Sequence, residues 1–224
     1  LSPIPALRIE DACASGGVAV RQAALAIASG QYDVVLVGGM EKMTDLPIAE
    51  VTDALATAAD TQFEVPAGFT FPGFYASMAT AYMDKYDADP KAFNHVAIKN
   101  HENGALNDKA QFGVRISDLM AKKIAKAEQK GYSVPTWETP VDFLQDPKGN
   151  MPIAYPLGLF DCSPVTDGGV VALMVAGDLA EKYTDDPIWL IGSGQASSGA
   201  LAERDNLYSV PAAGKAAEMA YEMA

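Results

Sequence analysis

The stretch EDACASGGVAVRQAALAIASGQYDVVLVGG, Glu10–Gly39, decides how this chain is read. Inside it Val20, Ala23, Ala24 and Ile27 recur at helical spacing, and Gly30 closes the run. The YDVVLVGG that follows is a continuous apolar run, as expected for a strand covered on both faces. Upstream, ALRIE at 6–10 is short and extended. Strand, helix and strand in so short a span predict a βαβ unit and a parallel sheet. At the junction of the first strand with the helix stands Cys13, and the chain has only one other cysteine, Cys162.

The first amides of a helix lack partners within it, and with the helix dipole they stabilise an anion placed among them. A cysteine there is suited to act as a thiolate nucleophile. Ala12 and Ala14 leave room beside the sulfur, and Gly16 and Gly17 let a ligand or another backbone come close. On spacing alone two readings stand: a nucleophile, or a small apolar residue packed at a βα turn.

Composition narrows the function. Acidic residues outnumber basic ones 29 to 16, for a formal charge of −13. Such a surface repels phosphate, which argues against general affinity for nucleic acid or an anionic membrane. No apolar run approaches the roughly 18 residues of a membrane-spanning helix. Two cysteines far apart, with no signal peptide, predict a cytoplasmic, reducing environment rather than a disulfide scaffold. LSPIPALRIE reads as the approach to an interior strand and AAGKAAEMAYEMA stops inside a helical pattern, so a fragment cut at both ends is expected.

After residue 44 the character changes. TDLPIAEVTDALATAADTQFEVPAGFTFPGF has weak periodicity and clusters Pro, Gly and Phe. Helices are then expected over 75–86, from Asp89–Pro90, and through DLMAKKIAKAEQKG, which Gly131 stops. An extended, proline-punctuated stretch leads to 157. Beyond it DGGVVALMVAGD reads as a buried strand, PIWLIGSGQA as another, and 211–223 as an alanine-rich helix. A helical insertion therefore interrupts one sheet.

The order of these pieces resembles the thiolase family. EDACASGG followed by YDVVLVGGMEKMT is similar to the nucleophile elbow and next strand of thiolases, with Gly38, Gly39, Met40, Glu41, Met43 and Thr44 on the Gly-Gly-Met-Glu-x-Met-Ser pattern. VAIKNHENGALNDKAQFG and LFDCSPVTDGGVVAL resemble the branch holding archaeal acetyl-CoA acetyltransferases and sterol-carrier-protein-type thiolases. The resemblance covers nearly the whole chain. It implies an α/β thiolase fold: two related halves layered α/β/α/β/α, with a mainly helical loop domain inserted, and incomplete here. Residues 1–47 would end the N-terminal half with the elbow, 48–157 would be the loop domain, and 158–184 the returning strand and helix. The C-terminal half would open with 187–224.

What the resemblance implies for chemistry attaches to particular residues. Cys13 falls on the cysteine acylated by acyl-CoA, and its own N–H would help form an oxyanion hole. Ser163 falls on the serine that hydrogen-bonds the pantetheine arm of coenzyme A. Asp167 and Gly168 match an Asp-Gly read as turn-forming. The implied reaction condenses two acetyl-CoA to acetoacetyl-CoA and CoA. Thiolysis of a longer 3-ketoacyl-CoA and a non-catalytic acyl-CoA-binding scaffold are the alternatives. A cysteine hydrolase using Cys13 with His101 is disfavoured, because no cysteine-protease signature surrounds Cys13. No cofactor or metal is implied, only coenzyme A thioesters as substrates. Implied partners are a second copy, as homodimer or homotetramer, and HMG-CoA synthase with a small acyl-CoA-binding bridging protein.

The departures are as informative. The family's Gly-His-Pro, which carries the activating histidine, and its Cys-x-Gly, which carries a second cysteine, are absent. The resemblance implies that they follow Ala224. The only histidines, His95 and His101, read as polar helix residues, at a spacing that suits no metal motif. Cys162 reads as a buried small residue. Lys122, Lys123, Lys126 and Lys130 form the one basic cluster, either a solvated helix face or a site for the phosphates of CoA. FTFPGFYASM at 69–78 either lines an acyl or pantetheine tunnel or packs a loop core.

Overall fold

The computed structural model describes residues 3–224. The chain divides into two compact units, the first 1–51, 166–199 and 210–224 and the second 52–165 and 200–209. Leu1 and Ser2, the start of the expected strand approach, lie outside the described residues.

In the first unit the decisive stretch forms helix α1 (Ser15–Ala28) and strand β1 (Val34–Glu41). Gly30, at φ +72, supplies the left-handed turn that stops the helix. α1 packs on β1, so the chain runs out along the helix and back along the strand. β1 pairs in an unbroken antiparallel ladder with the strand Gly168–Val175, from Val34 opposite Val175 to Glu41 opposite Gly168. One face is half-covered at Val35, Val37 and Met174; on the other, Leu36, Val171 and Leu173 are 69%, 59% and 49% exposed.

This corrects two expectations. The sheet of this unit is a two-stranded antiparallel pair among the described residues, not a parallel sheet, because residues 6–10 find no ladder to join. PIWLIGSGQA is also unpaired. It lies along the C-terminal helix Pro211–Met223, so closely that a Cβ at Gly192 or Gly194 would land on the carbonyls of Ala220 and Ala216. A strand is defined by its neighbour, and none is present for this segment among the described residues. After Gly168–Val175 the chain makes a 3₁₀ segment, Gly177–Lys182, rather than a full α-helix.

The second unit carries helices α2 (Ile48–Ala56, which begins in the first), α3 (Phe71–Tyr86), α4 (Lys91–Gly104), α5 (Ile116–Lys130) and α6 (Pro140–Gln145). The Pro211–Met223 helix of the first unit is α7. α3 opens a turn before the expected 75, because Thr70 is extended and Pro72 suits a first helical turn. Asp89 accepts the Lys91 N–H at 2.9 Å to start α4, and Gly131, at φ +68, ends α5 as expected. α2 and α6 were hidden in loop-like sequence; Thr139 and Asp142 bond reciprocally in a capping box that starts α6. A hairpin follows, β2 (Pro152–Ala154) and β3 (Leu157–Gly158), and the strand Gly168–Val175 is β4.

The core of the second unit is Ala97, Ile116, Phe143 and Leu144, with Trp137 edge-on to Phe143 at 5.0 Å. Helices α4, α5 and α6 each contribute apolar residues to it, with Trp137 and Phe160 beside them.

Candidate active site

The backbone turns sharply just before Cys13. Ala12 is left-handed, with φ +46, a conformation that costs an L-residue roughly 1–2 kcal/mol. Its neighbours hold it there. The Ala12 N–H donates to Glu10 Oε1 at 2.9 Å, and the Asp11 N–H donates to Ser15 Oγ at 2.7 Å. The Ser15 hydroxyl has one proton; the Ala12 carbonyl takes it at 2.7 Å, while Glu10 lies farther off at 3.3 Å. Cys13 is thereby carried exposed on a 3₁₀ turn, Ala12–Ala14, that leads directly into α1. A Cβ at Gly16 or Gly17 would meet nothing within 4 Å, so none of the surrounding chain fills the room these glycines leave. The arrangement presents a thiol to solvent at a helix start whose flanking amides are already engaged, Ala14 N–H by the Asp11 carbonyl and Ser15 N–H by that of Ala12, a geometry suited to nucleophilic attack on a carbonyl.

Because β1 returns antiparallel to α1, its far end comes back to the end of the unit that carries Cys13. There a second constellation closes. The Asp167 carboxylate accepts the N–H of Met43 at 2.8 Å and of Thr44 at 3.0 Å, the Thr44 hydroxyl at 2.6 Å, and the Lys42 ammonium at 2.9 Å. Lys42 also bridges Asp45 at 2.9 Å. The Thr44 hydroxyl and then Lys42 hold the Asp167 carboxyl well below the usual carboxylate range. Sequence reading took Asp167 for a turn residue. Its clasp joins GGMEKMT to TDGG, and since Lys42 and Thr44 are more than 120 residues away in sequence it becomes legible only with the β1–β4 register in hand.

Ser163 belongs to the second unit and is exposed. It follows a pinned turn, in which Asp161 accepts the Gly158 N–H at 2.7 Å and Asn150 accepts the Phe160 N–H at 2.9 Å. Beside it Cys162 is half-buried, and that burial pushes its thiol up, as suits a packed residue rather than a nucleophile. Cys13 and Ser163 thus stand in different units, each on its own anchored segment.

The remaining candidates resolve differently. Within the lysine cluster, Lys123 is engaged: its ammonium donates to the carbonyls of Gly149 at 2.8 Å and Lys148 at 3.2 Å, over the Phe143 ring. His101 sits among aromatics, with Phe160 at 5.7 Å, Phe112 at 6.1 Å, and Nδ1 3.3 Å from the Val114 carbonyl. His95 is exposed on α4. No group of three His, Cys, Asp or Glu able to hold a metal occurs among the described residues. The 69–78 stretch is partly packed and partly open. Ala76 packs inward, while Phe69, Gly73 and Ser77 line an open groove of about 520 Å³ with Ala154 and Tyr155.

Comparison with known proteins places this geometry. The family profile described as "Thiolase, N-terminal domain" matches residues 1–178. The acetyl-CoA acetyltransferases of Methanothermobacter thermautotrophicus and Methanocaldococcus jannaschii are 36% and 38% identical to the chain over its whole length. The chain spans about half of each, 51%. Among solved structures, the Ltp2-ChsH2(DUF35) aldolase is similar with a TM-score of 0.67 at 25% identity, over 93% of this chain and 49% of that one. A monomeric SCP2-thiolase-like protein type 1 from Mycobacterium smegmatis shares the fold with a TM-score of 0.57 at 19% identity, over 93% of this chain and 39% of that one.

Proposed function

This chain belongs to the thiolase family, and from that premise we propose that it carries the nucleophile of an acyl-CoA C-acyltransferase. The observation that carries the reading is Cys13, exposed on a strained and hydrogen-bonded elbow at the start of α1. In the proposed reaction the Cys13 thiolate attacks the thioester carbonyl of acetyl-CoA. The oxyanion so formed is stabilised in part by the Cys13 N–H, the C–S bond to CoA breaks, and CoA leaves as its thiolate. A second acetyl-CoA then loses a methyl proton to a base, and its carbon attacks the S-acetyl group. Acetoacetyl-CoA forms and the cysteine thiolate is released. Splitting one difficult Claisen step into two is what covalent catalysis contributes.

In this reading Ser163 hydrogen-bonds the pantetheine arm, and the substrates are coenzyme A thioesters with no further cofactor. The histidine and second cysteine of the family's Gly-His-Pro and Cys-x-Gly do not occur in this chain, so its own contribution is the acylation half-site. An acetyl group as the acyl unit is in keeping with the two archaeal relatives named acetyl-CoA acetyltransferase, which match the whole chain. Thiolytic cleavage of a longer 3-ketoacyl-CoA uses the same steps in reverse. We place the protein in the cytoplasm, as a homodimer or homotetramer that hands acetoacetyl-CoA to HMG-CoA synthase through a small acyl-CoA-binding bridging protein. The name Ltp2-ChsH2(DUF35) aldolase, which couples a similar chain to another protein, lends support to a bridging partner.

Intact-mass analysis of the full-length protein after incubation with acetyl-CoA tests the reading, beside a Cys13→Ala variant. One added acetyl group, absent in the variant, is expected. A folded protein that binds CoA yet takes no acetyl group would replace this reading with a non-catalytic scaffold.

A further inference from the structure

We propose that Asn150 is a positioning residue for coenzyme A binding: its buried side-chain amide locks the turn at 158–161, from which the chain passes directly to Ser163. The inference rests on the role proposed for Ser163, and every residue it uses belongs to the second unit.

Asn150 is 5% exposed, and an amide buried so far must find partners. It finds them on the turn. Its Oδ1 accepts the Phe160 N–H at 2.9 Å, and its Nδ2 donates to Asp161 Oδ2 at 3.3 Å. The same Asp161 oxygen accepts the Gly158 N–H at 2.7 Å, so one amide and one carboxylate tie positions 158, 160 and 161 together. The backbone adds the Leu159 N–H, donated to the Met151 carbonyl at 2.8 Å. The fit is close, because a Cβ at Gly158 would overlap the Asn150 amide. The Phe160 ring, 5.7 Å from that of Phe143, fastens the turn to the core.

Asn150 has a firm base of its own. Its N–H donates to the Asp146 carbonyl at 2.9 Å, and the Asp146 carboxylate accepts the Trp137 indole N–H and the Lys148 N–H, each at 2.8 Å. The Lys123 ammonium joins the Lys148 and Gly149 carbonyls, just before Asn150. Ser163 stands two residues past Asp161, a reach of about 7 Å at most. Pro164 follows it and restricts its backbone to the extended region. With the turn on one side and proline on the other, the exposed serine is confined to a small volume before any ligand arrives. Such ordering in advance lowers the cost of binding.

The test uses the full-length protein with Asn150→Asp, Asp161→Asn, the double variant carrying both, and Ser163→Ala. Asn150→Asp sets oxygen against oxygen at Asp161, and the double variant returns a donor to that pair. Hydrogen exchange reads the backbone of 158–163, calorimetric titration the Kd for coenzyme A, and steady-state kinetics KM and kcat. Asn150→Asp is expected to speed exchange across 158–163 about tenfold and to raise Kd and KM about three- to fivefold, with kcat changed less than about twofold. The double variant should recover most of both losses. Combining Asn150→Asp with Ser163→Ala should raise the Kd no further than Ser163→Ala does alone, since both act through one hydroxyl. Additive losses, or a fall in kcat at constant KM, mark a general structural effect and overturn the proposal. So does an unchanged Kd in Asn150→Asp while Ser163→Ala raises it. Failure of the Ser163 reading shows differently, as a Ser163→Ala protein that binds coenzyme A like wild type, and it takes the proposal with it. Should Asn150→Asp not fold, Asp161→Asn, which keeps an oxygen for the Gly158 amide, carries the same comparison with Ser163→Ala.

Discussion

At Ala12 a single φ angle sets the direction in which the thiol of Cys13 is presented. Left-handed backbone is tolerated by glycine, costs alanine, and is a genuine outlier for a β-branched side chain. Its retention here at φ +46 depends on the bonds from Glu10 and Ser15. Ala12→Gly is therefore expected to leave stability unchanged or raise it by up to about 1 kcal/mol, and Ala12→Val to lower it by about 1–3 kcal/mol. Urea unfolding of the two variants checks this, and equal midpoints would remove the claim of strain. The Ser163 hydroxyl is expected to supply one hydrogen bond to the substrate. Ser163→Ala should raise KM for acetyl-CoA roughly three- to tenfold with kcat nearly constant, since one such bond is worth about 1 kcal/mol. A fall in kcat alone would move Ser163 out of the binding role.

Elements in this molecule hold by close contacts that the chain cannot vary freely. The segment from 187 runs beside α7, where Gly192 and Gly194 face the carbonyls of Ala220 and Ala216 with no space for a Cβ. Gly194→Ala must push the segment off the helix, with an expected loss of about 1–3 kcal/mol, read as a lower urea midpoint. The Asp167 clasp governs the other end of the unit and gives a pH dependence with a definite sign. A carboxyl held below its ordinary value in the folded protein contributes stability that is fully present above about pH 3.9. That contribution is lost as pH falls through the depressed folded value. Wild type should exceed Asp167→Asn in urea midpoint by a constant margin from pH 5 to 7, with the margin shrinking in stronger acid. A margin independent of pH down to 2 would show that the clasp does not depend on the charge.

Across the whole molecule the two units differ in how completely they bury their apolar surface. In the second, Phe143 and Ile116 are essentially inaccessible, at 0% and 1%. In the first, Leu36, Met40 and Val171 leave 69%, 84% and 59% of their surfaces exposed, and Ile188 is fully exposed. Apolar area of this kind drives association, at about 25 cal/mol for each Å² removed from water. The 224-residue chain by itself is expected to self-associate at micromolar concentration in sedimentation, and Leu36→Lys with Val171→Lys to reduce it. Monomer behaviour unaffected by these changes would show that the sheet face is not the adhesive surface. Among the described residues no helix is long and apolar enough to cross a membrane.

Much of this was legible in the chain. Helix α1 and its glycine stop, the apolar run of β1, α5 ending at Gly131 and α7 over 211–223 follow from local periodicity and backbone preference. Those are short-range effects, written within a few residues of where they act. Family membership was equally legible, because EDACASGG and GGMEKMT stand in order along the sequence. Pairing was not. That β1 takes Gly168–Val175 as its antiparallel neighbour, that PIWLIGSGQA has none, and that Asp167 returns to clasp Lys42, Met43 and Thr44 depend on residues far apart in sequence meeting in space. A hydrophobic run states that it will be buried or paired, but not with what; only the closing of the long loop between them decides that.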